Sequence, residues 1–255
     1  GRGRVIRISI LFPRLVRDRF PRAAVATAVL LSLTVPLLMR GASDAAAGVR
    51  DGISAGPASG TATVIPIVAL LLALAAAWLA DGVVSDLKRD GSAPLVLTRP
   101  VSRIGYFTAR WLAGFACLAG AGLVTALVLN GAARFSGFVG PGLSPVGALG
   151  AAAASWLWVG SAVLVLSSLL ERGEALAGAL LLVLPFVLTG MLAPGNSIAR
   201  VAAVLPSRTV LDVSRTLLAG DPVIGSHLGR VAAWGAGSVA LGLFLAVRRE
   251  WSASG

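Results

Sequence analysis

Asp86, Lys88, Arg89, Asp90, Arg99, Arg103 and Arg110 fall in one stretch, DLKRDGSAPLVLTRPVSRIGYFTAR, between two apolar segments long enough to cross a bilayer. Charges of both signs at this density are docking chemistry. They steer and seat a partner, and a segment that carries them must sit in water. Catalytic chemistry is absent by comparison. No pair of carboxylates stands at a span end in a pattern suited to an intramembrane hydrolase or transferase. His227 is the single histidine and Cys117 the single cysteine, so neither a metal-ligand cluster nor an intrachain disulfide is expected. There is no GxxxxGK[ST] loop, and Lys88 is the only lysine, so this chain has no P-loop of its own for ATP.

The elements that must present those charges are membrane helices. Apolar residues make up 56% of the chain and charged residues 13%, against roughly 25% charged in a soluble domain. The mean hydropathy is +0.87. Phe135 to Leu170 contains no ionisable side chain, and neither does Ala175 to Ala199. About 20 apolar residues cross the hydrocarbon layer as a helix. Six spans fit, near Ala23–Met39, Thr61–Ala80, Tyr106–Leu129, Val146–Leu170, Ala175–Leu192 and Val231–Val247. Ala and Leu runs without β alternation favour helices over a barrel. The predicted fold class is an all-α polytopic membrane protein of one domain, residues 1–255. It would have a leader (1–22), a loop between spans 2 and 3 (81–105) and an outer loop (193–230).

Basic residues set the expected orientation. The leader, the second loop with the start of the third span, the fourth loop and the tail hold fifteen of the 22 Lys and Arg, and the opposite side seven. The positive-inside rule then places both termini in the cytosol. The net charge of +11 is mostly this topology signal, and because it is divided among loops it argues against nucleic acid as a partner. The first 22 residues do not read as a signal peptide. Val5, Ile8, Phe12, Leu15 and Val16 share one helical side, with Arg7, Arg14 and Arg17 roughly opposite. Arg19 spoils the pattern and Pro13 breaks or kinks it. An interfacial helix at the headgroups or a plain positive-inside anchor both fit, with Pro21 opening the first span. No span has a central Asp, Glu, Lys, Arg or His, which lowers the expectation of a proton- or ion-coupled carrier.

Around the charged stretch, Gly91, Ser92, Leu95, Leu97, Arg99, Pro100, Val101, Ser102, Arg103 and Tyr106, with Asp86 and Asp90 upstream, resemble the second-to-third-span loop of ABC-2 type transporter permeases. The resemblance implies a six-span permease subunit of an exporter in a prokaryotic plasma (inner) membrane, not itself an enzyme. It implies a partner ABC ATPase that binds ATP and Mg, and a second permease copy or paralogue, in a membrane-lipid setting. Asp86, Lys88, Arg89, Asp90, Gly91, Leu95, Arg99, Pro100, Ser102 and Arg103 would then form the coupling surface for the ATPase. Pro94 and Arg110 depart from the family pattern. Independently of the family, Gly91 can end a helix, Pro100 turns the chain and Ser102 can cap the third span. A solvated turn with positive-inside arginines is the plain alternative.

The outer loop is too long for a simple connection. Ser207 can cap a helix running to Gly220, with Val210, Leu211, Val213, Leu217 and Leu218 apolar and Arg208, Asp212 and Arg215 polar. Arg208, Leu211, Asp212, Arg215 and Leu217 are the candidate outer gate, a passive lid being the alternative. Trp78, Trp111, Trp234 and Trp251 are expected in interface belts, with Trp156 and Trp158 deeper. Ala116/Gly120 and Ser238/Gly242 have the spacing of close helix contacts. The functional expectation is export of a hydrophobic or amphipathic cargo. The alternative is a non-ABC membrane protein, either a secondary carrier or a structural subunit of an assembly.

Overall fold

The computed structural model describes residues 8–50, 58–89, 102–135, 142–170, 206–223 and 225–248. The elements among them are all helices: α1 Ile8–Arg50, α2 Ala58–Asp81, the short α3 Ser85–Arg89, α4 Arg103–Phe135, α5 Pro145–Ser155, a π-helical turn Trp156–Gly160, α6 Ser161–Leu169, α7 Pro206–Ala219 and α8 Gly225–Arg248. Five helical segments are long and apolar enough to cross a membrane: Phe12–Leu37, Val64–Leu87, Arg103–Phe135, Pro145–Leu169 and Gly225–Arg248. This is the make-up of a multi-pass membrane protein. The expected span Ala175–Leu192 lies outside the described residues.

The N-terminal region corrects the expectation of a separate leader helix. α1 runs unbroken through Pro13, Pro21 and Pro36. Each interior proline costs a helix roughly 3 kcal/mol, so packing must compensate. Leu15, Arg19, Ala23, Ala26, Leu30 and Thr34 are buried at steps of four or three residues, one continuous face. That face lies against α4 and α2. Leu15 meets Ala109 and Ala113 of α4, so the first described turns of α1 and α4 lie at the same end of the bundle. Arg19, which breaks the amphipathic pattern of the leader, is 3% exposed on this inward face.

Close approach is set by small residues. Gly114 and Gly160 leave room for the Trp156 indole, which a Cβ at either position would meet. Trp156 and Trp111 then sit with ring centroids 5.5 Å apart, and both are buried. Trp111 is therefore a core residue, not the interface-belt residue expected, because α4 turns it inward. Gly235 lies on Leu157 and Gly242 on Leu164. Both pairs are seven residues apart in their own helices, the repeat that keeps one seam between parallel helices. Of the expected small-residue contacts, Gly242 makes one, whereas a Cβ at Gly120 would meet nothing within 4 Å.

Candidate functional site

α2 ends at Asp81, and the chain turns through residues 82–84 before α3. A helix end leaves carbonyls without intrahelical partners, and burying them is costly unless each finds a donor. Here Leu79, Ala80, Asp81 and Gly82 each find one. Arg19 donates from Nη1 to Leu79 O and from Nη2 to Gly82 O at 2.6 Å. Arg110 donates from Nη2 to the same Gly82 O at 2.9 Å. Val83 N donates to Ala80 O, and Ser85 Oγ to Asp81 O at 2.7 Å. Two arginines from two other helices thus cap α2, where its dipole favours positive charge.

Asp86 completes the arrangement. Arg22 grips its carboxylate in a fork, Nη1 to Oδ2 at 2.9 Å and Nη2 to Oδ1 at 2.6 Å. Arg19 and Arg110 approach Oδ2 at 3.9 and 3.7 Å. Arg110 also donates from Nη1 to the Tyr106 hydroxyl at 2.9 Å. One carboxylate thus faces three guanidinium groups, and α1, α2, α3 and α4 are joined at one point. Gly82 leaves room for the fork, since a Cβ there would run into Arg22 Nη1 and come within 2.9 Å of Asp86 Oδ2, so that one or both side chains would have to shift.

This changes the reading of the charged stretch. Asp86 does not stand on an open docking surface; its side chain is 23% exposed and turned to arginines of the same chain. The physical reason is the helix end beside it, which recruits cations that one carboxylate then partly neutralises. Lys88 and Arg89 lie on α3. Ser102 accepts from Gly105 N at 3.1 Å and caps α4, which starts at Arg103, an exposed residue. Asp90, Gly91, Leu95, Arg99 and Pro100 lie outside the described residues. The residues that sequence reasoning missed are Arg19, Arg22, Gly82 and Tyr106. The usable signal was a charged residue on an otherwise apolar helical face, shown by Arg19 between Leu15 and Ala23.

About 30 Å away along α4 lies a second constellation, twenty residues from Arg110 at 1.5 Å each. Asn130 holds Leu143 with both amide atoms, Nδ2 to Leu143 O and Leu143 N to Oδ1, each at 2.8 Å. Ser144 caps α5 through Gly147 N at 3.0 Å and donates its own N–H to Leu218 O at 2.9 Å. α7 is thereby tied by its last turn to the start of α5. A Cβ at Gly147 would strike the Leu217 carbonyl, and one at Gly150 would press on the Leu217 side chain at 3.1 Å. Val210 and Val213 pack with Ala154 and Val231. α7 therefore runs antiparallel to α5 and reaches down beside it toward the π turn. It starts at Pro206 and ends at Gly220, whose φ of +82° fits a glycine terminator. Of the candidate gate residues, Arg208 lies in the first turn, Leu211 is buried, and Asp212, Arg215 and Leu217 are half-buried.

The π turn Trp156–Gly160 lies between these two ends. Such turns insert one residue into the helical ladder and are frequent at functional sites. The Ser161 hydroxyl bonds back to Leu157 O and Trp158 O, carbonyls that the widened turn displaces. Among the described residues no group of three His, Cys, Asp or Glu side chains could hold a metal. Compared with family models, curated proteins and solved structures, the chain matches none.

Proposed function

We propose that this chain is the membrane permease subunit of an ATP-binding cassette exporter of the ABC-2 type, working with a separate ATPase that binds ATP and Mg. The observation that carries the reading is the arginine junction on Asp86. It sits at the foot of segment 90–101, which leads into the RPVSR string of residues 99–103. The segment leaves α3 just after Asp86 and rejoins the bundle at the Ser102 cap. A force applied there by a partner reaches α1, α2 and α4 through charged hydrogen bonds, which are stronger than neutral ones. A plain solvated turn needs no such anchorage.

The other end fits the same reading. α7 is a half-length amphipathic helix lodged beside α5 and touching α2, the helix whose opposite end is the junction. A wedge in that place can respond to movement of α2 and open an exit. The spans are apolar and free of central charge, which suits a hydrophobic or amphipathic cargo. Two such permeases, alike or paralogous, would face each other in a prokaryotic inner membrane with their termini in the cytosol.

The test leaves the junction intact. Arg99→Glu with Arg103→Glu reverses charges on the loop and not on Asp86. A glutamate at the start of α4 suits the helix dipole, so folding should survive. The wild-type chain, captured from its own membranes, should bring down a protein that an azido-ATP analogue labels. The double variant should recover several-fold less of it per permease, at unchanged melting temperature. Absence of any ATP-binding partner from the wild-type capture would sink the reading.

A further inference from the structure

Among the described residues, the junction carries more positive charge than its acids balance. Arg19, Arg22 and Arg110 face Asp86, and the nearby Asp81 is engaged by Ser85 Oγ at 2.8 Å. Counting both acids still leaves a surplus of one. The C-terminal end of α2 contributes about half a negative charge and does not remove it. Carbonyl partners satisfy hydrogen bonds without cancelling charge. Uncompensated charge away from water is costly, so such a site favours a counter-anion.

Two features say which anion. Arg110 is 9% exposed, and its Nε is buried with no hydrogen-bond partner among the described residues. The site thus has unused donor capacity. Arg22, with 28% of its side chain exposed, opens the junction to the outside of the bundle. On α1, Arg22 shares a helical sector with Arg14 and Asp18 on one side and with Val25 and Val29 on the other, by 3.6-residue periodicity. Arg14, Asp18, Val25 and Val29 are exposed. The surface therefore passes from a basic patch with one acid to an apolar strip, along a helix apolar enough to span a membrane. That is the outline of a headgroup above an acyl chain. Basic pockets between spanning helices select anionic lipids by this chemistry.

We propose that the Arg19–Arg22–Arg110 junction binds the phosphate of an anionic phospholipid whose acyl chain lies along Val25 and Val29 of α1. The bound lipid would complete the charge balance of the junction and hold α1 against α2 and α4. The site rests on the geometry of this chain alone and not on the transporter reading, and its test contains no ATPase.

The full-length protein, stripped of lipid in neutral detergent, is titrated with dioleoyl phosphatidylglycerol, dioleoyl phosphatidylcholine or inorganic phosphate. Bound lipid is counted by native mass spectrometry, and the melting temperature is followed in parallel. Phosphatidylglycerol should bind about tenfold or more tightly than phosphatidylcholine, whose choline ammonium cancels the charge of the same phosphate and leaves the junction's surplus unbalanced. Arg22→Gln should abolish that preference, Arg22→Lys should restore part of it, and Arg134→Gln, exposed at the far end of α4, should leave it unchanged. Arg110→Gln should act like Arg22→Gln; if it does not fold, the partly exposed Arg22 position decides alone. Equal binding of the two lipids, or a preference that survives Arg22→Gln, overturns the proposal. An equal rise in melting temperature with inorganic phosphate assigns the site to a free anion and overturns the lipid assignment.

Discussion

At the residue scale, the decisive side chain is Asp86, because three guanidinium groups depend on one carboxylate. Removing one partner of a buried ion pair is far more damaging than the pair's net worth, since the remaining charge keeps its desolvation cost. Asp86→Asn is isosteric and takes away only the charge. With the site partly open to solvent, a loss of about 2 kcal/mol is expected. A clear drop in melting temperature in detergent should report it. Arg22→Gln should cost less, because Arg22 is the most solvated of the three. The double variant should fall short of the sum, as members of one network do. Strict additivity would mean that Asp86 and Arg22 do not act as a pair. Trp156 presents a different kind of dependence. It is 1% exposed and seated against Gly114 and Gly160. Trp156→Ala should cost roughly 3–5 kcal/mol through the cavity it leaves, and Gly114→Ala should also destabilise, by crowding the indole. A neutral Gly114→Ala in the same unfolding assay would contradict this packing.

At the element scale, the most exacting contact is that of α7 with α5. Gly147→Val would place a branched side chain on the Leu217 carbonyl, which belongs to backbone and cannot rotate aside. α7 should then lift from α5. Ser214, fully buried on α7, reports this if it is made the only cysteine by Ser214→Cys with Cys117→Ala. The thiol should resist a maleimide reagent in the parent and react at least several-fold faster when Gly147→Val is added. Equal protection would mean that α7 stays docked without the glycine. This helix was legible in the sequence, since its amphipathic pattern, the region of its start and Gly220 all point to it. Its partner was not, because nothing in Gly147 or Gly150 says which helix comes close. α1 shows the opposite failure. Pro13 and Pro21 argue for a break, and local propensity loses to a long inward face that exists only once α2 and α4 are in place. The junction failed for a related reason. Arg19 and Arg22 are more than sixty residues from Asp86 and Arg110, and only a buried helix end brings them together. The charged stretch was thus found, whereas its role as an anchor for three other helices required the fold.

At the scale of the whole molecule, the first four described spanning helices alternate in direction, α8 runs parallel to the fourth, and the two constellations occupy opposite ends of the bundle. α4 shows this directly, with Arg110 in the junction at one end and Asn130 binding Leu143 near the other. The ends differ in charge as well as in place. Arg14, Arg17, Arg19, Arg22, Arg103 and Arg110 gather at the first, and the proposed orientation, by the positive-inside rule, puts that end in the cytosol. Orientation then becomes a single experiment on the intact chain. Cys117 is replaced by alanine, and one cysteine is introduced at Ser92, between α3 and α4 in the chain, or at Ser226, exposed in the first turn of α8 at the other end. An impermeant thiol reagent is applied to intact cells and then to opened ones. Ser226→Cys should react in intact cells, and Ser92→Cys only after opening. Both substitutions leave the arginines untouched, so they do not disturb the charge bias they report. The reverse pattern would place the arginine junction on the outer face, beyond reach of any cytosolic ATPase, and the transporter reading would fall with it. The lipid site would survive, because its chemistry asks only for an anionic headgroup on whichever face the junction meets.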